Sequence, residues 1–269
     1  HGRAWMKPER GEVVELAAGD IVINRGPDPY VVADSPDTSP QIVIAPNQRC
    51  ETPGGAELKE ELNLGTRTWG NSAEGDTVML VGTYRMDGEI GQRLLRALPP
   101  VVVLSADSWS SPLVPLLSEE IVKDEPGQEA VLDRLLDLLL ISVLRAWLAR
   151  PEAQAPGWYR AYGDPVVGRV LRLLHHNPAH QWTLAELASK AGVSRAALAR
   201  RFTDLVGEPP MGFLTSWRLD MAADLLREPD LTVEAVARKV GYSGPFALSA
   251  AFKRVRGISP REHRERVAA

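Results

Sequence analysis

The sequence predicts an α+β protein of two parts, strand-rich at the N-terminus and all-helical at the C-terminus, joined by a helical segment. Three observations predict it. Beyond about residue 105, short β-branched runs give way to apolar residues recurring every three or four positions. One helical pattern occurs twice between residues 183 and 257. The two parts also carry opposite charge: residues 165–269 hold 16 Lys and Arg against 10 Asp and Glu, and the rest holds 15 against 25.

The 269 residues are 44% hydrophobic and 25% charged, an ordinary composition for globular chains. No apolar run approaches the ~20 residues that span a bilayer. The best candidate, Leu135 to Leu148, carries Asp137 and Arg145. Cys50 is the single cysteine, which excludes an intramolecular disulfide and fits a reducing cytosol, so a cytoplasmic location is expected. With His1 in first place and no charged-then-apolar opening, the expectation is a chain without a signal segment that lacks its natural start.

Strands are expected at Val13 to Leu16, Ile21 to Ile23, Tyr30 to Val32, Gln41 to Ile44, Thr77 to Tyr84 and Val101 to Leu104. Each is short, rich in β-branched residues and bounded by turn formers, a pattern that suits a small barrel or sandwich. From Leu113 to Leu148 the spacing becomes helical, broken at Pro126-Gly127 into two helices. Leu132, Leu135, Leu136, Leu139, Leu140, Val143, Leu144 and Trp147 form a wide stripe, which reads either as packing against the strands or as a dimerisation face. The run PEAQAPG, residues 151–157, is the expected linker. The expected domains are therefore 1–105, 106–150 (helical linker and dimerisation segment) and 151–269.

The repeat is specific in its punctuation. Thr183 suits an N-cap, Glu186 a capping box, and Leu184, Leu187, Ala188 and Ala191 the buried face of a helix that Gly192 ends. Ser194 then caps a second helix, with Leu198, Phe202, Leu205 and Val206 expected inward and Gly207 closing it. In the second copy Thr232 caps Val233, Val236, Ala237 and Val240, and Gly241 ends the helix. Leu248, Phe252 and Val255 are expected inward on the next, closed by Gly257. Each copy is thus helix, glycine turn, helix: a helix-turn-helix pattern, whose second helix fits a DNA major groove. Met211 to Leu226 reads as a helical spacer about 24 Å long at ~1.5 Å per residue. Ser259 and Pro260 open a final basic helix.

From Asp164 to Arg264 the chain resembles the AraC/XylS family of bacterial transcription regulators. The segment WTLAELASKAGVSRAALARRFTDLVGEPPMGFLTSWRLDMAADLL and the more specific VGYSGPFALSAAFKRVRGISPREHR carry the resemblance. It implies two helix-turn-helix units on a long helix, binding adjacent major grooves of double-stranded promoter DNA. The stretches LAAGDIVINRGPDPYVVAD and TVMLVGTYRMDGEIGQRLLRALPPVVVL resemble the cupin-type sensor domain of one branch of that family, which implies a cupin-like β-barrel. Implied partners are a small-molecule effector, a second copy of the chain and, for an activator, RNA polymerase. No membrane partner and no cofactor are expected.

On the first recognition helix, the candidate DNA-binding residues are Ser194, Arg195, Ala196, Ala199, Arg200 and Thr203, since Leu198 and Phe202 turn these outward. By family position Ala196 and Arg200 match base-reading places; an Arg there pairs with guanine O6 and N7, and an Ala meets only a thymine methyl. The second unit departs from the family, which usually has polar residues where Pro245, Phe246 and Ala250 stand. Its candidates are Ser243, Ser249, Lys253 and Arg254 for phosphate, with Phe246 read first as a packing residue and second as a thymine-methyl contact.

In the N-terminal part a His-rich metal site is not expected. No His lies between His1 and His175, and Asp28, Pro29 and Tyr30 stand where a catalytic cupin has histidines. His175, His176 and His180 read as a solvated helix end. Cys50 is a redox candidate only if Arg49 approaches its thiol. Trp5, Tyr30, Trp69 and Tyr84 are candidates to line an effector pocket, or equally the core. The leading reading is a transcription regulator without enzymatic activity. A cupin-type enzyme with a helical appendage is the alternative, and a purely structural DNA-binding protein a third reading.

Overall fold

The computed structural model describes residues 2–45, 49–58, 60–72, 74–84, 86, 88–153 and 155–268. His1, and Gln154 of the expected linker, lie outside them. The chain forms two compact units, one of residues 1–84 and 98–153 and the other of residues 85–97 and 154–269.

Among the described residues the first unit holds nine strands: β1 (Ala4–Pro8), β2 (Val14–Leu16), β3 (Ile21–Asn24), β4 (Tyr30–Ala33), β5 (Val43–Ile44), β6 (Cys50–Glu51), β7 (Asn63–Gly65), β8 (Thr68–Trp69) and β9 (Val101–Leu104). They form a three-stranded antiparallel sheet, β2-β1-β4, and the antiparallel pairs β3-β9, β5-β6 and β7-β8. The pair β3-β9 closes the longest loop, with Ile21 opposite Leu104 and Asn24 opposite Val101. Along β9 burial alternates, so Val102 and Leu104 enter the core at 1% and 0% exposure.

Two expectations need correction here. The described strands do not join into one closed barrel. Thr77 to Tyr84 joins no strand, and its Val78, Met79, Leu80 and Val81 are exposed. β-branched composition favours extended backbone, but a strand also needs a hydrogen-bonded neighbour, and composition does not supply one.

Downstream of the strands, α2 (Leu113–Glu120) and α3 (Gln128–Leu148) pack on each other, with the break at Pro126-Gly127 where the sequence predicts it. Leu132, Val143, Leu144 and Leu148 of α3 are buried, whereas Val131, Leu138 and Ile141 are exposed on another face. Among the described residues no helix is long and apolar enough to cross a membrane.

In the second unit the helices are α1 (Glu89–Leu95), α4 (Gly157–Ala161), α5 (Val167–His176), α6 (Leu184–Ala191), α7 (Arg195–Val206), α8 (Pro210–Leu225), α9 (Val233–Lys239), α10 (Pro245–Arg256) and α11 (Pro260–Ala268). A three-residue helical turn, Pro151–Ala153, ends the first unit. Two hydrophobic cores organise the second. The first gathers Val170, Leu171 and Leu174 with Leu187, Leu198, Phe202, Phe213 and Leu214. The second gathers Leu219, Ala222 and Ala223 with Leu226, Val236, Val240, Leu248 and Phe252. Helix α8 contributes its first half to one core and its second half to the other. Phe202 and Phe252, fifty positions apart, are each 0% exposed, and burying a side chain of this size stabilises by roughly 2–3 kcal/mol.

The turn glycines behave as their positions demand. Gly192 takes φ 73°, a left-handed conformation that lets α6 stop and α7 start. Gly241 takes φ 83°, and a Cβ there would lie 2.5 Å from the Ala179 carbonyl oxygen. Leu205 and Val255 correct the expected inward faces: both are exposed, at 38% and 53%. Each sits in the last turn of its helix, where helical periodicity persists but no partner helix covers it.

His175 also departs from the expected solvated helix end. Its ring lies 4.4 Å from Trp217 and 5.5 Å from Phe213 between centroids, and its Nδ1 is hydrogen-bonded to the Tyr162 hydroxyl. Burial, then the nearby Arg93 and His176 charges, push its pKa from 6.5 down to about 4. The unfolded imidazole therefore binds its proton at higher pH than the folded one, and stability falls as pH drops from 6.5 towards 4. Between pH 7.5 and 5 this group is expected to lower the unfolding free energy by on the order of 1 kcal/mol, its partial solvent exposure allowed for. Urea unfolding at the two pH values measures it, and His175→Gln is expected to show a correspondingly smaller loss.

Candidate nucleic-acid interface

Local sequence sets the start of each candidate recognition helix. Ser194 has extended backbone, and its hydroxyl accepts from the Ala197 N–H at 3.2 Å, capping α7. Thr183 does the same for α6 through the Glu186 N–H, 3.1 Å, and Thr232 for α9 through the Ala235 N–H, 3.1 Å. The Glu186 carboxylate faces His180 Nε2 at 3.1 Å, so Glu186 is drawn to His180. Helix α10 has no side-chain cap; Pro245 opens it, suited to a position where a backbone N–H has no helical partner. A complete capping box appears at α11, where the Ser259 N–H donates to Glu262 and the Glu262 N–H to Ser259 Oγ.

Burial of Leu198 and Phe202 turns the opposite face of α7 outward. Ser194, Arg195, Ala196 and Arg200 are exposed, and Ala199 and Thr203 half-buried. On the second pair, Ser243, Lys253 and Arg254 are exposed and Ser249 is half-buried. Phe246 is 90% exposed, which corrects its reading as a packing residue: Leu248, Ala251 and Phe252 already supply the inward face of α10.

The basic side chains of this unit divide by partner. Arg201 donates through Nε and Nη2 to the Asp164 carboxylate at 3.0 and 2.6 Å. That carboxylate also accepts from the Val166 and Val167 N–H groups; burial alone would raise its pKa, but the guanidinium and these donors hold it low. Arg218 on α8 donates to the Pro178 and His180 carbonyls, both at 2.7 Å, and lies over the Tyr242 ring. Gln181 Nε2 donates to the Gly241 carbonyl at 2.7 Å, tying the segment before α6 to the turn after α9. Arg264 holds the Leu226 and Leu231 carbonyls. Arg195, Arg200, Lys253 and Arg254, by contrast, make no hydrogen bond or ion pair among the described residues. Exposed cations without internal work are what a polyanion engages.

The other candidates are not brought together. Tyr30 and Trp69 are 48% and 57% exposed, and Trp5 is half-buried on β1. The buried Tyr84 hydroxyl has no hydrogen-bond partner among the described residues, and burial, then Asp137 and Asp133, push its pKa up to about 12. A pocket of about 540 Å³ is lined by Arg67 of the β7–β8 turn, by Asp124 and Glu125 before α3, and by Gln128 and Asp133 of α3, with none of the four aromatics. Arg49, the group that would activate Cys50, pairs with Glu51. No three His, Cys, Asp or Glu residues among the described residues are grouped to hold a metal.

Residues 1–149 match the family described as Cupin, and residues 187–266 match the family described as Helix-turn-helix domain. A putative AraC-like transcription regulator of Streptomyces lividans is 34% identical over 259 residues, covering 94% of this chain and 80% of that protein. The chain belongs to the AraC-like transcription regulators. The HTH-type transcriptional regulator AlkR of Acinetobacter baylyi is 27% identical, covering 98% of this chain and 85% of that one. Among solved structures, the DNA-binding domain of AdpA in complex with a target DNA is similar, with 33% identity, a TM-score of 0.36 and coverage of 38% of this chain and 92% of that chain. This AraC-like regulator thus combines a cupin domain with a helix-turn-helix DNA-binding domain, and it is a DNA-binding transcription regulator, not an enzyme.

Sequence reasoning missed α1, whose Glu89 and Arg93 belong to the same compact unit as these helices. The signal present was short: Glu89 after Gly88, then Ile90, Leu94 and Leu95 at helical spacing. Because Phe246 of the AraC-like domain packs against nothing that defines the core, Phe246→Ala is expected to change unfolding free energy by no more than about 0.5 kcal/mol in a denaturant titration.

Proposed function

We propose that α6–α7 and α9–α10 act as two helix-turn-helix units that enter successive major grooves of promoter DNA, with α8 as the spacer. The observation that carries this is the partition of cations: Arg195, Arg200, Lys253 and Arg254 stand exposed and unpaired on α7 and α10, while Arg201, Arg218 and Arg264 are consumed by internal bonds. On this reading Arg200 reads a guanine through O6 and N7, and Ala196 and Ala199 sit against thymine methyls. Ser194, Arg195, Thr203, Ser243, Ser249, Lys253 and Arg254 contact phosphate and fix register. Phe246, the most exposed large apolar side chain of the unit, contacts a thymine methyl.

The cupin unit is the signal-receiving part, for a small-molecule effector. The regulator acts in the cytoplasm, with RNA polymerase as partner where it activates. The exposed Val131, Leu138 and Ile141 of α3, spaced seven and three residues apart, support a homodimer through this helix.

Arg200→Ala tests the reading most sharply. On duplexes selected by the wild-type chain from a random pool, it is expected to cost about 1–3 kcal/mol of discrimination against random DNA at fixed salt. An unchanged specificity ratio contradicts the role given to Arg200.

A further inference from the structure

Helix α1 lies within the span that matches the cupin family, yet it belongs to the compact unit of the helix-turn-helix domain. What holds it there is a mostly buried set of charges rather than apolar surface. Asp224 of α8 accepts from the Glu89 N–H at 2.5 Å and the Ile90 N–H at 3.2 Å, capping α1 from outside its own strand of chain. Arg93 of α1 pairs with Asp220 of α8 at 3.2 Å and with Glu208, just beyond the end of α7, at 3.7 Å. Its guanidinium lies 5.0 Å from the centre of the Phe213 ring. Arg256, in the last turn of α10, donates to Asp220 at 2.7 Å and to Glu89 at 2.9 Å.

The side chains of Arg93, Asp220 and Arg256 are 20%, 14% and 17% exposed. In such surroundings removing one partner leaves an uncompensated charge, so these contacts constrain geometry far more than surface pairs do. The set joins four places: α1, the segment ending α7, the middle of α8 and the end of α10. None of Arg195, Arg200, Phe246, Lys253 or Arg254 takes part. Helix α1 therefore leaves the candidate DNA-facing residues uncovered while tying the ends of both candidate recognition helices to the spacer.

Both ends of α1 continue into the cupin unit. The chain leaves that unit after Tyr84 and returns at Leu98. Leu98 is 4% exposed, its carbonyl accepts from Arg25 Nη1, the Pro100 carbonyl accepts from the Arg25 N–H, and β9 begins at Val101. Residues 98–100 thus connect α1 directly to a strand pair of the cupin core.

We propose that α1 is a brace that sets the spacing of the two DNA-reading units, with Arg93, Glu89 and Asp220 as positioning residues. This rests on the two-unit reading given under Proposed function. Breaking the brace weakens simultaneous engagement of two half-sites and leaves engagement of one half-site intact.

The test uses the full chain and two duplexes drawn from a wild-type selection, one intact and one with a single half-site scrambled. For Arg93→Glu and the milder Arg93→Gln, affinity for the intact duplex is expected to fall about tenfold or more, with affinity for the scrambled duplex changed less than about threefold. Arg93→Lys is expected to recover most of the loss. A Cβ at Gly88 would lie 3.2 Å from Asp224 Cγ, close to a disulfide's Cβ-to-sulfur spacing. In a Cys50→Ser background, Gly88→Cys with Asp224→Cys is therefore expected to keep the two-site advantage when oxidised and lose it on reduction. Equal ratios in wild type and all variants, or equal losses on both duplexes, overturn the brace. A wild-type chain that selects no paired half-sites overturns the two-unit reading beneath it.

Discussion

Helix α8 belongs to two hydrophobic cores, and the rest of the DNA-binding unit depends on that sharing. Phe213 and Leu214 complete the core around Phe202, and Leu219, Ala222 and Ala223 complete the one around Phe252. A helix buried on several sides cannot rotate to favour one core without opening the other, since close-packed interiors do not deform smoothly. The two helix pairs are consequently joined along a rod of sixteen residues, about 24 Å at ~1.5 Å per residue, and the charges that α1 brings to α8 and α10 brace their spacing.

Polar contacts reinforce the same geometry at the turns. Arg218 reaches from α8 to the Pro178 and His180 carbonyls and stacks on Tyr242, and Gln181 reaches the Gly241 carbonyl where no Cβ could stand. These bonds occupy donors that would otherwise face solvent. Arg195 and Arg200 on α7 and Lys253 and Arg254 on α10, the helices that follow the glycine turns, make no such bonds among the described residues. Division of labour among like residues distinguishes structural from ligand-directed charge better than net charge does, because the whole chain is acidic at −4.

Legibility from sequence followed the range of the interactions. Capping at Thr183, Ser194, Thr232 and Ser259 was readable because a cap acts within three residues, as did the glycine stops. The fifty-residue repeat exposed the paired cores through Leu198 with Leu248 and Phe202 with Phe252. Thr77 to Tyr84 misled, since strand formation requires a distant partner that local composition does not reveal. Phe246 misled in the opposite direction: an aromatic in an apolar helix reads as core, but its phase places it outside Leu248 and Phe252. The site itself was legible as a set of outward positions on α7, whereas the Arg93–Asp220–Arg256–Glu89 set was not, because its members lie up to 167 positions apart and only the fold assembles them.

The central claim is that two helix pairs, kept apart by one shared helix, contact the same duplex together. A hydroxyl-radical footprint of the full chain on a selected operator measures this directly. Two protected segments are expected on one face of the DNA, centred about one helical turn, ~10 base pairs, apart. One protected segment of a few base pairs, unchanged when the neighbouring half-site is scrambled, contradicts it.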